Sequence, residues 1–108
     1  MSITTRQWTA GEVLAELQRN QEWLRSLGVR ALGLFGSYRH GTPRPTSDMD
    51  FLVDLEQPSF DGYMDLKLWL EDTFGCPVDL VLMDSIKPRL RPVILREVVY
   101  AEGLSPLS

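Results

Sequence analysis

Asp48-Met49-Asp50-Phe51-Leu52-Val53-Asp54-Leu55 alternates residue by residue, with Met49, Phe51, Val53 and Leu55 on one side and Asp48, Asp50, Leu52 and Asp54 on the other. Successive side chains of a strand point to opposite faces, so the stretch reads as a strand with one apolar face and one face bearing carboxylates. Upstream, Val29 to Phe35 is short, apolar and bounded by Gly28 and Gly36, which predicts a buried strand. Residues 40 to 47 between the two are turn formers and read as a loop. Downstream, Gln57-Pro58-Ser59 breaks the pattern. Tyr63, Leu66, Leu70 and Phe74 then recur at helical spacing up to Gly75. Pro77 opens a third strand, Val78 to Met83, in which Asp79, Val81 and Met83 share a face.

Thr9 followed by Glu12 matches a capping box, and Val13, Leu14, Leu17, Leu24 and Leu27 continue a helical stripe that Gly28 stops. Asp84-Ser85 is a candidate cap for a last helix carrying Ile86, Leu90, Val93, Ile94 and Val98. Pro88 suits its first turn, but Pro92 removes a backbone donor further in, so a kink or two short pieces is expected, with Val98 to Ala101 as an alternative terminal strand. The order helix, strand, loop, strand, helix, strand, helix describes an α/β domain with a small β-sheet. Pattern alone leaves the strand directions open.

With 108 residues, a net charge of −4 and 44% hydrophobic residues, the chain has the size of one domain, residues 1 to 108, with one core and no room for a separate substrate domain. The lone Cys76 has no intramolecular disulfide partner, and no charged leader precedes an apolar segment, so a reducing cytoplasm is the expected compartment. No apolar run is long enough to span a membrane. The total charge conceals a division. Asp48 to Asp84 holds ten acidic residues and only Lys67, while the remainder has ten basic and five acidic residues. The negative sum argues against gripping long nucleic acid by phosphate neutralisation, although a local basic contact stays open.

Gly36-Ser37 directly follows the first strand, ten residues separate it from Asp48-Met49-Asp50, and Asp79 lies on the third strand. A glycine at a strand end lets backbone approach a ligand, and the following serine adds a hydroxyl beside backbone donors, a combination suited to polyphosphate. Aspartates two apart on a strand share a face, so Asp48 and Asp50 can both ligate a hard cation such as Mg²⁺, which completes its shell with substrate oxygens. If the second and third strands are neighbours, Asp79 joins them, as a third ligand or as a base for an attacking hydroxyl. Average residue usage gives this spacing by chance on the order of once in a thousand such chains.

Leu34-Phe35-Gly36-Ser37-Tyr38, Thr46-Ser47-Asp48-Met49-Asp50-Phe51-Leu52-Val53 and Val78-Asp79-Leu80-Val81 together resemble the signature of minimal nucleotidyltransferases of the polymerase β-like superfamily. The resemblance implies a mixed-sheet nucleotidyltransferase fold that moves a nucleoside monophosphate from a nucleoside triphosphate onto a hydroxyl with one or two Mg²⁺. It assigns phosphate contacts to Gly36 and Ser37 and metal ligation and catalysis to Asp48, Asp50 and Asp79. Small prokaryotic members act as antitoxins beside a helical HEPN ribonuclease toxin, some by transferring AMP to a toxin tyrosine. That implies ATP as substrate, a HEPN-type partner in a type VII-like toxin–antitoxin pair, and a possible hetero-oligomer. The family commonly carries an arginine where His40 stands, so Arg39 is the candidate to contact the triphosphate in its place.

Each feature has an ordinary reading. Gly36-Ser37 alone is a strand-ending turn, Asp48 a turn residue and Asp50 a solvated strand position. Asp79 lies in an apolar run where an unpaired carboxylate is costly, so a cation or a basic partner is expected there. Asp54 is about 13 Å along the strand from Asp50 and reads as surface charge. His40 reads as a loop residue, Cys76 as a turn residue, and Lys87, Arg89, Arg91 and Arg96 as a solvated helix face. Met64, Leu68 and Trp69 sit off the main helical stripe and read as core or satellite packing, while their offset makes them the first candidates for a partner-facing patch. Two other functions compete with protein adenylylation: an antitoxin that neutralises by binding alone, and a nucleotidyltransferase acting on a small molecule of the aminoglycoside type.

Overall fold

The computed structural model describes residues 8–41 and 48–106. Its elements are α1 (Ala10–Arg19), α2 (Gln21–Ser26), β1 (Val29–Phe35), α3 (Gly36–His40), β2 (Met49–Leu55), α4 (Phe60–Phe74), β3 (Val78–Leu82), a 3₁₀ turn (Met83–Ser85), α5 (Arg91–Glu97) and β4 (Val99–Tyr100). From residue 42 on, the expected 40–47 loop lies outside the described residues, and so do Thr46 and Ser47 of the motif.

The sheet is mixed, with strand order β3-β2-β1-β4. β1 runs antiparallel to both β2 and β4, and β2 runs parallel to β3. The parallel pair needs a crossover, which α4 supplies. Met49, Phe51, Val53 and Leu55 of β2 all enter the main core with Leu32 and Leu34 of β1, Leu66, Leu70 and Phe74 of α4, and Val13, Leu17 and Leu24 of α1 and α2. Burying each such side chain contributes roughly 1.5–3 kcal/mol, so the alternation of β2 fixes which face turns inward. Trp8 closes the edge of this core, its indole Nε1 donating to Phe74 O at 3.0 Å and its ring meeting the Phe74 ring edge-on.

Two helical expectations change. Thr9 and Glu12 form the capping box, but the first helix breaks in two at Asn20, whose side-chain Nδ2 donates to Glu16 O at 2.8 Å. The last helix starts at Arg91 rather than after Ser85. Pro92 therefore falls in its first turn, where a backbone donor has no helical acceptor and its missing N–H costs nothing, and the terminal strand is β4. Because β3 and β4 occupy opposite edges, the chain from the 3₁₀ turn to α5 passes over the face of the sheet that points away from α1, α2 and α4. There Leu52 is fully buried without belonging to the main core, and Ile86 is 9% exposed. Among the described residues no helix is long and apolar enough to cross a membrane.

Candidate functional site

The uncovered end of that second face carries the carboxylates. In register, Phe35 of β1 faces Asp50 of β2, and Asp50 faces Asp79 of β3. Asp48 immediately precedes β2 and is exposed. The neighbour condition for Asp79 is met, and one rung of the sheet brings two of the three aspartates together. Asp50 is half-buried, and its carboxyl is pushed up to about 6, first by that burial, then by the charges of Asp79 and Asp48. The costly carboxylate is thus Asp50 and not Asp79. β3 is an edge strand, so Asp79 keeps its exposure to water, and the desolvation expected from its apolar neighbours does not arise.

Gly36 begins α3 one residue beyond that rung, with φ +77. A Cβ there would run into Asp50 Oδ2 and lie 3.0 Å from Asp50 Cγ, so the missing side chain is the space that the carboxylate occupies. Ser37 follows, half-buried, at the start of the same short helix. Tyr38 turns inward instead, 9% exposed, and its hydroxyl lies beside the Cys76 thiol. Burial pushes both groups up, and the Asp48 charge adds to the effect on Cys76. Cys76 is therefore more than a turn residue. It joins the segment carrying Ser37 to the entry of β3, beside Asp48. The sequence offers no signal for this pairing, because the two residues are distant in the chain and each alone is unremarked.

Arg39 is placed differently from a free triphosphate ligand. Its Nε donates to Glu97 O at the end of α5, 3.0 Å away, leaving the Nη groups of the guanidinium as further donors. His40 Nε2 lies 3.6 Å from Glu97 Oε1, so both basic residues of α3 meet the same residue of α5. Asp54, on the same face as Asp50, pairs with Arg30 at 3.2 Å. It lines a cleft of about 600 Å³ with Arg25, Arg30 and Glu56 at the opposite end of β1, which supports its reading as a structural charge.

Among the described residues, no three His, Cys, Asp or Glu side chains are grouped so that they could hold a metal ion by themselves. The donor set nevertheless fits Mg²⁺, which is held by one or two carboxylates plus substrate phosphates rather than by an all-protein cage. The Asp48, Asp50 and Asp79 charges oppose one another, the oxygens are hard donors, and Gly36 leaves Asp50 its room. The repulsion has a measurable consequence. An acid whose native value is raised from 3.8 to about 6 destabilises the native state increasingly as pH rises through that interval. In chelator, Asp50→Asn is expected to raise the urea midpoint at neutral pH, with the gain shrinking as pH falls toward 4. An equal or larger gain at low pH would contradict this origin.

A family profile described as a nucleotidyltransferase domain matches residues 12–101. Among curated relatives, the protein adenylyltransferase MntA of Thermococcus cleftensis is 42% identical over 94 residues, spanning 85% of this chain and 95% of its own. A solved structure assigned as a minimal nucleotidyltransferase superposes with a TM-score of 0.64 at 36% identity, over 80% of this chain and 93% of that one. At 20% identity and a TM-score of 0.59, the fold also matches a structure of the tri-AMPylated Shewanella oneidensis HEPN toxin in complex with MNT antitoxin. That match covers 83% of this chain and 72% of the other.

Proposed function

The chain belongs to the nucleotidyltransferase domain family, and from that premise we propose that it is a Mg²⁺-dependent protein adenylyltransferase that moves AMP from ATP onto a tyrosine hydroxyl of a HEPN ribonuclease toxin. It acts in the cytoplasm as the antitoxin of the pair, within one catalytic domain. The observation that carries the reading is the Asp50–Asp79 rung, with Gly36 against Asp50 and Asp48 beside it.

Each residue has a task that its position supports. Gly36 and Ser37 seat the β and γ phosphates at the start of α3, with the Arg39 Nη groups adding charge from the end of the same helix. Asp48 and Asp50 would hold Mg²⁺, with Asp79 as the third carboxylate. Bound there, Mg²⁺ offsets the charge that develops on phosphate oxygens and leaving group. The acceptor oxygen attacks the α-phosphorus, the bond to the β-phosphate oxygen breaks, and pyrophosphate leaves. Asp79, exposed on the edge strand, is open to an incoming protein and takes the hydroxyl proton. No covalent enzyme intermediate is required, since positioning and charge neutralisation carry the rate.

The test is incubation with α-labelled ATP, Mg²⁺ and the product of the neighbouring gene, expected to be a HEPN toxin. Label should appear on the toxin, and Asp48→Ala/Asp50→Ala should abolish it. Unchanged labelling by that double variant would overturn the assignment. Full neutralisation by the same variant at stoichiometric dose without nucleotide would favour an antitoxin that works by binding alone.

A further inference from the structure

α4 and α5 expose matching patterns on their outer sides. Along α4, Asp65, Leu68 and Asp72 form one exposed stripe, with Leu68 56% exposed between the two carboxylates. In the turn leading into α5, the N–H groups of Leu90 and Arg91 both donate to Lys87 O, which puts Arg89 one helical turn ahead of Val93. Arg89, Val93 and Arg96 are all exposed, Val93 by 48%, so this stripe is basic at its ends and apolar in the middle. Among the described residues, none of Asp65, Asp72, Arg89 or Arg96 takes part in an ion pair.

The spacing makes the match directional. Read backwards, Asp72, Leu68 and Asp65 are separated by four residues and then three. Read forwards, Arg89, Val93 and Arg96 are separated by four and then three. Both stripes span about 10.5 Å at the rise of a helix. Laid antiparallel, the two helices bring Asp72 to Arg89, Leu68 to Val93 and Asp65 to Arg96, whereas a parallel arrangement puts the apolar residues out of step. A nucleic acid would use the basic ends alone and leave Val93, and the whole α4 stripe, without a role.

We infer that two copies of this chain associate through antiparallel packing of the α4 stripe of one on the α5 stripe of the other. Each contact joins two different surfaces, and because α4 and α5 lie on opposite faces of the sheet the contact repeats head to tail from copy to copy. Exposed ion pairs are individually weak and screened within a Debye length of about 10 Å at 0.1 M salt, so the association is concentration-dependent and weakens as salt is raised. None of these side chains belongs to the carboxylate site, so the inference stands apart from the proposed activity.

Sedimentation velocity over a wide concentration range tests it. The wild-type protein should shift from monomer to larger species, and half-molar salt should reverse the shift. Asp65→Lys/Asp72→Lys and Arg89→Glu/Arg96→Glu should each remain monomeric, because α4 and α5 then carry like charges. An equimolar mixture of the two variants should associate, since every α4 stripe finds an opposite α5 stripe on the other species. Thermal melts matching the wild type show that both variants are folded. A wild-type protein that stays monomeric throughout, or a mixture that fails to associate although wild type does, overturns the self-contact and leaves the stripes to a different protein partner.

Discussion

Asp50→Asn is expected to lower kcat/KM for AMP transfer by at least about 10³-fold, the scale on which a metal-held or oxyanion-stabilising charge contributes to a transition state. The substitution keeps the shape and one carbonyl oxygen and removes only the negative charge, so its effect isolates that charge. Asp50 is the half-buried member of the three and the one placed on the shared rung between β1 and β3. The same variant should be more stable than wild type at neutral pH in chelator, so lost activity cannot be attributed to unfolding. Asp54→Asn is the matched control. It sits on the same face and pairs with Arg30, and its loss should leave the transfer rate within about twofold, the range of a surface change remote from the chemistry. Initial rates across a Mg²⁺ titration separate the two. An Asp50→Asn protein with near wild-type rates at saturating Mg²⁺ would remove the central carboxylate from the mechanism.

Gly36→Ala should be nearly as damaging, by another route. The backbone at φ +77 costs a side-chain-bearing residue about 1–2 kcal/mol, and here the added methyl also meets a carboxylate oxygen. Asp50 must then rotate or β2 must shift. A displacement of about 1 Å at reacting groups is enough for a loss on the order of 10²-fold. The expected signature is a fall in kcat at every Mg²⁺ concentration together with a lower urea midpoint, the opposite stability change from Asp50→Asn. Gly41→Ala is the informative comparison. Gly41 has a similar φ of +73 but, among the described residues, nothing within 4 Å of a Cβ, so it should bear the conformational penalty and spare the chemistry. Equal activity losses at the two positions would show that backbone strain, not the Asp50 contact, is responsible.

Much of this was readable because local rules and global packing agree. β1 occupies the stretch between two glycines that its apolar run marked, and β2 shows the alternation to the residue, since one slip would turn its aspartates into the core. Thr9 caps α1 through its own side chain, a purely local interaction, and Ser59, read only as part of a break, does the same for α4. What escaped depends on contacts that no local pattern encodes. The break at Asn20 comes from a side chain competing for a helical carbonyl without disturbing the apolar stripe. The exposure of Asp79 follows from β3 being at an edge, which is a property of strand order. The Glu97 carbonyl that receives Arg39 belongs to a helix whose start the sequence placed too early. The three aspartates were legible as a set. That Asp50 bears the electrostatic burden was not, because burial is set by the fold.

The parallel alignment of β2 with β3 also sets a timetable. β1 and β2 meet antiparallel, close in the chain, and such short-range pairing forms early. β3 can take its place only after α4 has crossed the sheet, and β4 adds to the far edge later still along the chain. The carboxylate site is therefore complete only with β3 in place, and the carbonyl that anchors Arg39 comes from Glu97, later still in the chain. A β1–β2 pair alone carries two of the acidic side chains, and the third comes only from the strand beyond the crossover helix, so the centre belongs to the finished sheet and to no smaller part of it.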